Sequence, residues 1–128
     1  MENRLRADLI AWLRNDPALE DINAIEEESP LRASVPWLGV SASASTDWGV
    51  KEKPGREIRI ALELETRIDD PAQDADILSS IEQRVLDLPP FAQGYEVASI
   101  RFLRSRSEQR DNNRRGALLE FRFRLFHV

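Results

Sequence analysis

Few side chains in this 128-residue chain are of a kind that does covalent chemistry, so the search for a catalytic group is short. There is one histidine, His127, next to last, and no cysteine, which excludes thiol nucleophiles, thiolate metal sites and disulfides. Absence of cysteine also fits a reducing compartment. Ser41, Ser43 and Ser45 alternate with alanine in WLGVSASAST. A hydrolase serine of the common kind sits on a G-x-S-x-G elbow, which this sequence lacks, and a Ser-His-Asp triad would have to rely on the terminal His127. Two acidic groupings carry metal-type ligands. Three consecutive carboxylates, Glu26-Glu27-Glu28, cannot share one helix or strand face, so a solvated loop is the better reading. Asp69, Asp70, Asp74 and Asp76 come without histidine or a glycine-bearing calcium loop. Asp70, Pro71 and Gln73 instead have the N-cap, N1 and N3 spacing of a capping box, and acids in a first helical turn are favoured by the helix dipole. The chain is therefore expected to be no enzyme and to hold no metal or cofactor.

What remains is charge. The formal net charge of −5 is unevenly spread: residues 1–30 hold eight Asp/Glu against three Arg, and residues 101–128 hold eight Arg against three Asp/Glu. One reading of the basic end is a small nucleic-acid-binding domain using Arg104, Arg106, Arg110, Arg114 and Arg115. The other is a charged strand face and loop meeting acidic surface on this chain or on a neighbouring copy. The arginines alternate with core residues instead of clustering with exposed aromatics, and the chain is acidic overall; both favour the second.

The elements that must position these groups follow from periodicity. At 41% hydrophobic and 32% charged residues, the composition is that of a soluble globular chain, and its length suits one domain, residues 1–128. No apolar run approaches the roughly 18–20 residues of a membrane span, and the charged N-terminus is not a secretory signal. Residues 2–15 read as a helix with Leu5, Leu9, Trp12 and Leu13 on one face. Asn15-Asp16-Pro17 stops it, and Asp16 can cap a new turn with Pro17 at its first position. Trp37–Thr46 alternates, with Leu38, Val40, Ala42 and Ala44 on one face. Glu57–Arg67 alternates strictly, with Ile58, Ile60, Leu62 and Leu64 on one face, as in an antiparallel strand with one wet side. Between these two strands Asp47–Arg56 reads as an unusually long hairpin loop, in which Trp48 is either folded back on the sheet or a partner contact. Ile77, Leu78, Ile81, Val85 and Leu88 mark a second helix ended by Pro89-Pro90. Two strands close the chain. Glu96–Arg106 has Ala98, Ile100 and Phe102 on one side, and Ala117–Val128 has Leu119, Phe121, Phe123 and Leu125 on one side. Ser107–Arg115, without an apolar residue, reads as an exposed loop between them. If the last strand lies beside Glu57–Arg67, Arg122 and Arg124 can meet Glu63 and Glu65. The expected fold is α+β: a four-stranded antiparallel sheet with two helices on one face, in the order α-β-β-α-β-β, with a long β-hairpin loop.

Over nearly its whole length the chain resembles the tail-terminator (tail-completion) family of long-tailed phages and gene transfer agents. The resemblance rests on Asp16-Pro17-Ala18-Leu19 after the first helix, Pro36-Trp37-Leu38-Gly39, Asp47-Trp48-Gly49, and Gly55-Arg56-Glu57 opening an alternating strand. A basic loop and a phenylalanine-rich last strand complete it. The sequence departs from the family at Ile22–Val35, where members often have a glycine-bearing turn and a short strand. The resemblance implies a hexameric ring, a homo-oligomer, on the end of the tail-tube protein. That ring would present a surface to the head-tail connector (stopper) and let DNA pass without sequence-specific binding. It implies assembly in the bacterial cytoplasm, residence in the tail of a virion or phage-like particle, and no membrane partner. A ring needs head-to-tail contacts between different faces of each subunit, for which the acidic and basic ends are suited. Candidate subunit, tube or connector contacts are Trp48, Lys51, Lys53, Arg56, Arg110, Arg114, Arg115, Leu118 and Phe126.

Overall fold

The strictly alternating stretch lies at the centre of the molecule because both of its edges find a strand. The computed structural model describes residues 1–28, 30, 33–67, 69 and 71–128. In chain order the elements are α1 (Glu2–Arg14), a 3-10 turn (Pro17–Leu19), β1 (Ala24–Glu26), β2 (Trp37–Val50), β3 (Lys53–Arg67), α2 (Pro71–Leu86), β4 (Phe91–Ala92), β5 (Tyr95–Arg110) and β6 (Arg114–His127). They form one curled six-stranded mixed sheet in the order β1-β2-β3-β6-β5-β4. The expectation of four antiparallel strands in the order α-β-β-α-β-β is therefore corrected. The added strands are short edges: β1 pairs parallel with β2, Ile25 opposite Leu38, and β4 pairs Phe91 with Glu96. Three- and two-residue strands carry too little periodicity to be seen in a sequence. Of the acidic run, Glu26 belongs to β1 and pairs with Arg14 at 2.9 Å, while Glu27 and Glu28 follow it exposed.

One face of the sheet makes the core. Ile58, Ile60, Leu62 and Leu64 of β3 and Leu119, Phe121, Phe123 and Leu125 of β6 are buried together with Leu5, Leu9 and Leu13 of α1 and Ile77, Ile81 and Val85 of α2. The two helices are latched to each other: Trp12 Nε1 donates to the Arg84 carbonyl at 2.7 Å, Arg84 donates back to the Trp12 carbonyl, and the guanidinium stacks 3.3 Å from the indole centroid. Asp16 caps the 3-10 turn, its carboxylate accepting from Ala18 N at 3.0 Å. The proposed cap of α2, Asp70, lies outside the described residues. Asp74 in the first turn of α2 is 6% exposed and accepts from Thr66 Oγ1 at 2.7 Å and from Arg115 Nη1 at 2.9 Å. That buried anion fastens α2 to the far ends of β3 and β6.

Bulges set which side chains face inward. In β2 the register shifts between Val40 and Ala42, so Leu38 and Val40 face the core, but beyond the shift Ser43 and Ser45 do, and Ala42 and Ala44 turn to the other face. In β5 shifts at Val97/Ser99 and Phe102/Arg104 change the inward parity twice, leaving Ala98 exposed while Ile100 and Phe102 pack on the core. Alternation read across a bulge assigns every later residue to the wrong face.

Tyr95 joins the start of β5 to α1, its buried hydroxyl donating to Asp8 Oδ2 at 2.5 Å. Burial, then the hydrogen bond and charge of Asp8, push the phenol well above its ordinary value. Because the folded state holds this proton more tightly than the unfolded chain, the contribution is complete below the ordinary tyrosine value near 10 and declines as pH rises above it. Melting temperature is expected to fall from about pH 9 to about pH 11, on either side of the ordinary tyrosine value, more steeply in the natural chain than in Tyr95→Phe, which cannot ionise. Equal alkaline slopes in the two proteins would remove the assignment.

Candidate functional site

The helix-free face of the sheet is organised in transverse rows, since register partners on neighbouring strands point the same way. One row runs through five strands: Trp48 of β2 opposite Gly55 of β3, opposite Phe126 of β6, opposite Glu96 of β5, opposite Phe91 of β4. Gly55 makes the row possible. A side chain there would overlap the Leu125 and Trp48 carbonyls, and without one the Trp48 and Phe126 rings close over the strand between them, centroids 4.7 Å apart. Two cations flank the pair: Lys53 Nζ lies 4.2 Å from the Phe126 centroid and Arg124 Cζ 5.5 Å from that of Trp48. Cations over ring faces are held by the ring quadrupole and keep the pair wet at its rim.

This row lies at the end of the molecule that carries the β2–β3 turn. Among the described residues the exposed large hydrophobic ones are Val50 at 65%, Phe91 at 78% and Val128 at 81%, and all three belong to that end. Val50 borders the turn, Phe91 closes the row, and Val128 N donates to Gly94 O at 3.3 Å beside it. An apolar cluster collected at one end and rimmed by Lys51, Lys53 and Arg56 has the make-up of a protein-docking surface. The opposite end, with the β5–β6 turn Asp111–Asn113, is polar.

The long-loop expectation for Asp47–Arg56 is corrected here. β2 continues to Val50 and β3 begins at Lys53, so only Lys51 and Glu52 form the turn. Gly49, at φ 122°, admits a backbone conformation that side chains resist, and the Trp48–Phe126 stack supplies apolar contact that a polar loop would lack. Ser107–Arg115 is likewise not a loop: Arg110 pairs with Arg114, and Asn112 and Asn113, at φ 62° and 59°, make the turn. Both segments look loop-like because their strands reach past the helices, where neither face need be apolar.

The sequence-derived contact residues separate into groups. Trp48, Lys51, Lys53, Arg56 and Phe126 come together at the docking end. Leu118 is half-buried in the middle of the helix-free face, level with Glu63 and Arg106. Arg110, Arg114 and Arg115 lie at the far end, and two of them are engaged within the chain. Arg115 holds Asp74, and Arg110 crosses over Gly116 to reach Glu63 at 2.7 Å, Glu65 at 3.9 Å and Glu108 at 3.2 Å. Arg122 and Arg124 do not meet Glu63 and Glu65: the register sets Arg124 opposite Glu57, 3.1 Å away, and Arg122 opposite Arg59. Gly116→Val is expected to push Arg110 off Glu63, lowering stability by about 1 kcal/mol, the scale of a partly exposed ion pair. A double-mutant cycle with Glu63→Gln checks it, and additive effects would show that the two are uncoupled.

Phe91 and Val128 escaped the sequence reading, and Gly55 entered it only as the opening of an alternating strand, not as the gap under two rings. The usable signal was a glycine two residues before an alternating run, with a tryptophan and a phenylalanine left off the core pattern. Among the described residues no group of three His, Cys, Asp or Glu is placed to hold a metal ion, and no helix is long and apolar enough to cross a membrane.

A family model described as tail completion protein gp17 matches residues 7–125. No curated protein sequence matches. Among solved structures, a chain of the "Virion of native gene transfer agent (GTA) particle" is similar in fold, with a TM-score of 0.79 and 17% identity, covering 95% of this chain and 94% of that one.

Proposed function

On the premise that the chain belongs to the tail completion protein gp17 family, we propose that it is a structural, non-enzymatic subunit of a ring that ends the tail tube of a phage or phage-like particle and joins it to the head connector. The observation that carries this reading is the one-sided arrangement of the molecule. Its aromatic row and its exposed apolar side chains Val50, Phe91 and Val128 share one end, as suits a protein that must grip another ring along a single direction. The ring is a hexamer of this chain, assembled in the bacterial cytoplasm on the end of the tail-tube protein, and DNA passes through it. The aromatic end takes the tube or connector.

A freestanding nucleic-acid-binding domain is less well supported. Of the arginines it would use, Arg104 is tied to Glu120, Arg110 to Glu63 and Arg115 to Asp74.

Light scattering of the purified chain across a concentration series, alone and with its tail-tube protein, tests the proposal. A discrete sixfold assembly, alone or on tube ends, is expected. A subunit that stays monomeric and ignores tube protein would remove the ring.

A further inference from the structure

Between the aromatic row and the far end, the helix-free face carries an excess of positive charge that the chain does not neutralise. Arg59, Arg122 and Arg101 are register partners on β3, β6 and β5 and stand side by side. Arg124 lies on the side of the aromatic row, and Arg104 and Arg106 on the other. Two carboxylates pair with these six guanidinium groups, and a third, Glu63, in the transverse row of Arg106, is engaged by Arg110. Glu57 is 3.1 Å from Arg124, 3.9 Å from Arg59 and 4.0 Å from Arg122, and Glu120 is 2.6 Å from Arg104. The Arg104 guanidinium, helped by the charges of Arg106 and Arg59, holds Glu120 below its usual range. Arg101 and Arg106 are exposed and have no ion pair within 4.0 Å among the described residues. Arg122 Nε is buried and has no hydrogen-bond acceptor among the described residues.

The floor beneath the arginines is small. A shallow groove crosses the sheet over Ala42, Ala44 and Ala61, with Arg59 and Arg104 on its rim. No aromatic ring stands among Arg59, Arg101, Arg104, Arg106 and Arg122, and the Trp48 ring beside Arg124 is already stacked on Phe126, so unpaired bases would find little to stack on. What this surface fits is a row of phosphates approached from outside the bases. We propose that the helix-free face holds the phosphodiester backbone of duplex DNA, without reading its sequence. The chain's net charge of −5 does not prevent this, because beyond about 10 Å charges elsewhere on the surface are screened at moderate salt.

The inference deepens the tail reading and rests on it for the source of the DNA; binding itself needs only the single subunit. The test is titration of a short labelled DNA duplex of mixed sequence with the full chain over about 50–200 mM salt. Affinity is expected to fall with salt with a log–log slope of about −4 to −5, as for some five phosphate contacts. Arg101→Glu/Arg106→Glu should weaken binding about tenfold or more at the lowest salt, and Arg101→Gln/Arg106→Gln by a smaller factor, with circular dichroism unchanged because neither arginine supports the fold (tenfold is about 1.4 kcal/mol). Arg4→Glu/Arg14→Glu, the same charge change on α1, should bind within about twofold of the natural chain, since it lies off the phosphate track. Absence of binding by the natural chain, equal binding by the face variant, or an equal loss in the α1 variant would each overturn the proposal. A chain that joins tube protein yet ignores DNA overturns only this face; one that binds DNA yet never joins tube overturns the tail reading instead.

Discussion

Trp48→Ala combined with Val50→Asp is expected to give a folded subunit that no longer joins tail tubes. Trp48 lies on the helix-free face, outside the core cluster, and Val50 is 65% exposed, so neither holds the helices to the sheet. Truncating Trp48 releases its stack on Phe126, about 1 kcal/mol beyond the area it covers. The variant should therefore melt only a few degrees below the natural chain. At a docking interface the same changes act differently. Aromatic anchors at the centre of a contact are each worth about 2 kcal/mol or more, and a carboxylate in place of Val50 is buried unpaired against the partner. Joining should fall by a factor of about 100 or more, read by electron microscopy of tubes mixed with the purified subunit. Substitution is a cleaner probe than removing residues 50–54, since that stretch holds paired strand positions and a two-residue turn. Tubes capped at the natural level by the folded variant would take the docking surface away from this end.

Gly55→Val is expected to have the largest effect on stability at the site, a loss of about 3 kcal/mol, at the upper end of what overpacking costs. Most glycines in strands are replaceable at the cost of some repacking. Here the new Cβ would meet the backbone carbonyls of Leu125 and Trp48, one on each neighbouring strand, and neither can move without parting a ladder. The branched side chain would also push the two rings off each other. Denaturant midpoint and tryptophan emission, to which Trp48 contributes with Trp12 and Trp37, should shift together, and a variant of natural stability with an unchanged emission spectrum would contradict the close approach. Phe126→Leu offers the comparison, since it loses the ring contact but leaves the ladder intact.

Much of the chain's local structure could be read from its residues. The alternation of Ile58, Ile60, Leu62 and Leu64 and of Leu119, Phe121, Phe123 and Leu125 fixes two strands and the face each buries. The helical spacing of Leu5, Leu9 and Leu13, and of Ile77, Ile81 and Val85, fixes two helices. These signals are strong because apolar burial acts at every repeat of the element, so each residue confirms the last. The exclusion of cysteine chemistry is as direct, being a matter of residue counts.

Tertiary structure decided where strands end, how many there are and which arginines are free. Strands that run past the helices lose the apolar half of their pattern while keeping their backbone ladders, so Ser107–Arg110 and Asp47–Val50 look like loops and are not. β1 and β4 exist only because β2 and β5 offer them an edge. Three bulges turn later side chains to the opposite face, which no count of residues between apolar positions foretells. Among the basic residues, Arg110 and Arg106 look alike in sequence. One is drawn across Gly116 to Glu63 and the other is left facing solvent. Hydrophobic periodicity is a property of neighbours along the chain, whereas register, strand edges and ion pairing depend on residues dozens of positions apart, and only the folded sheet brings those together.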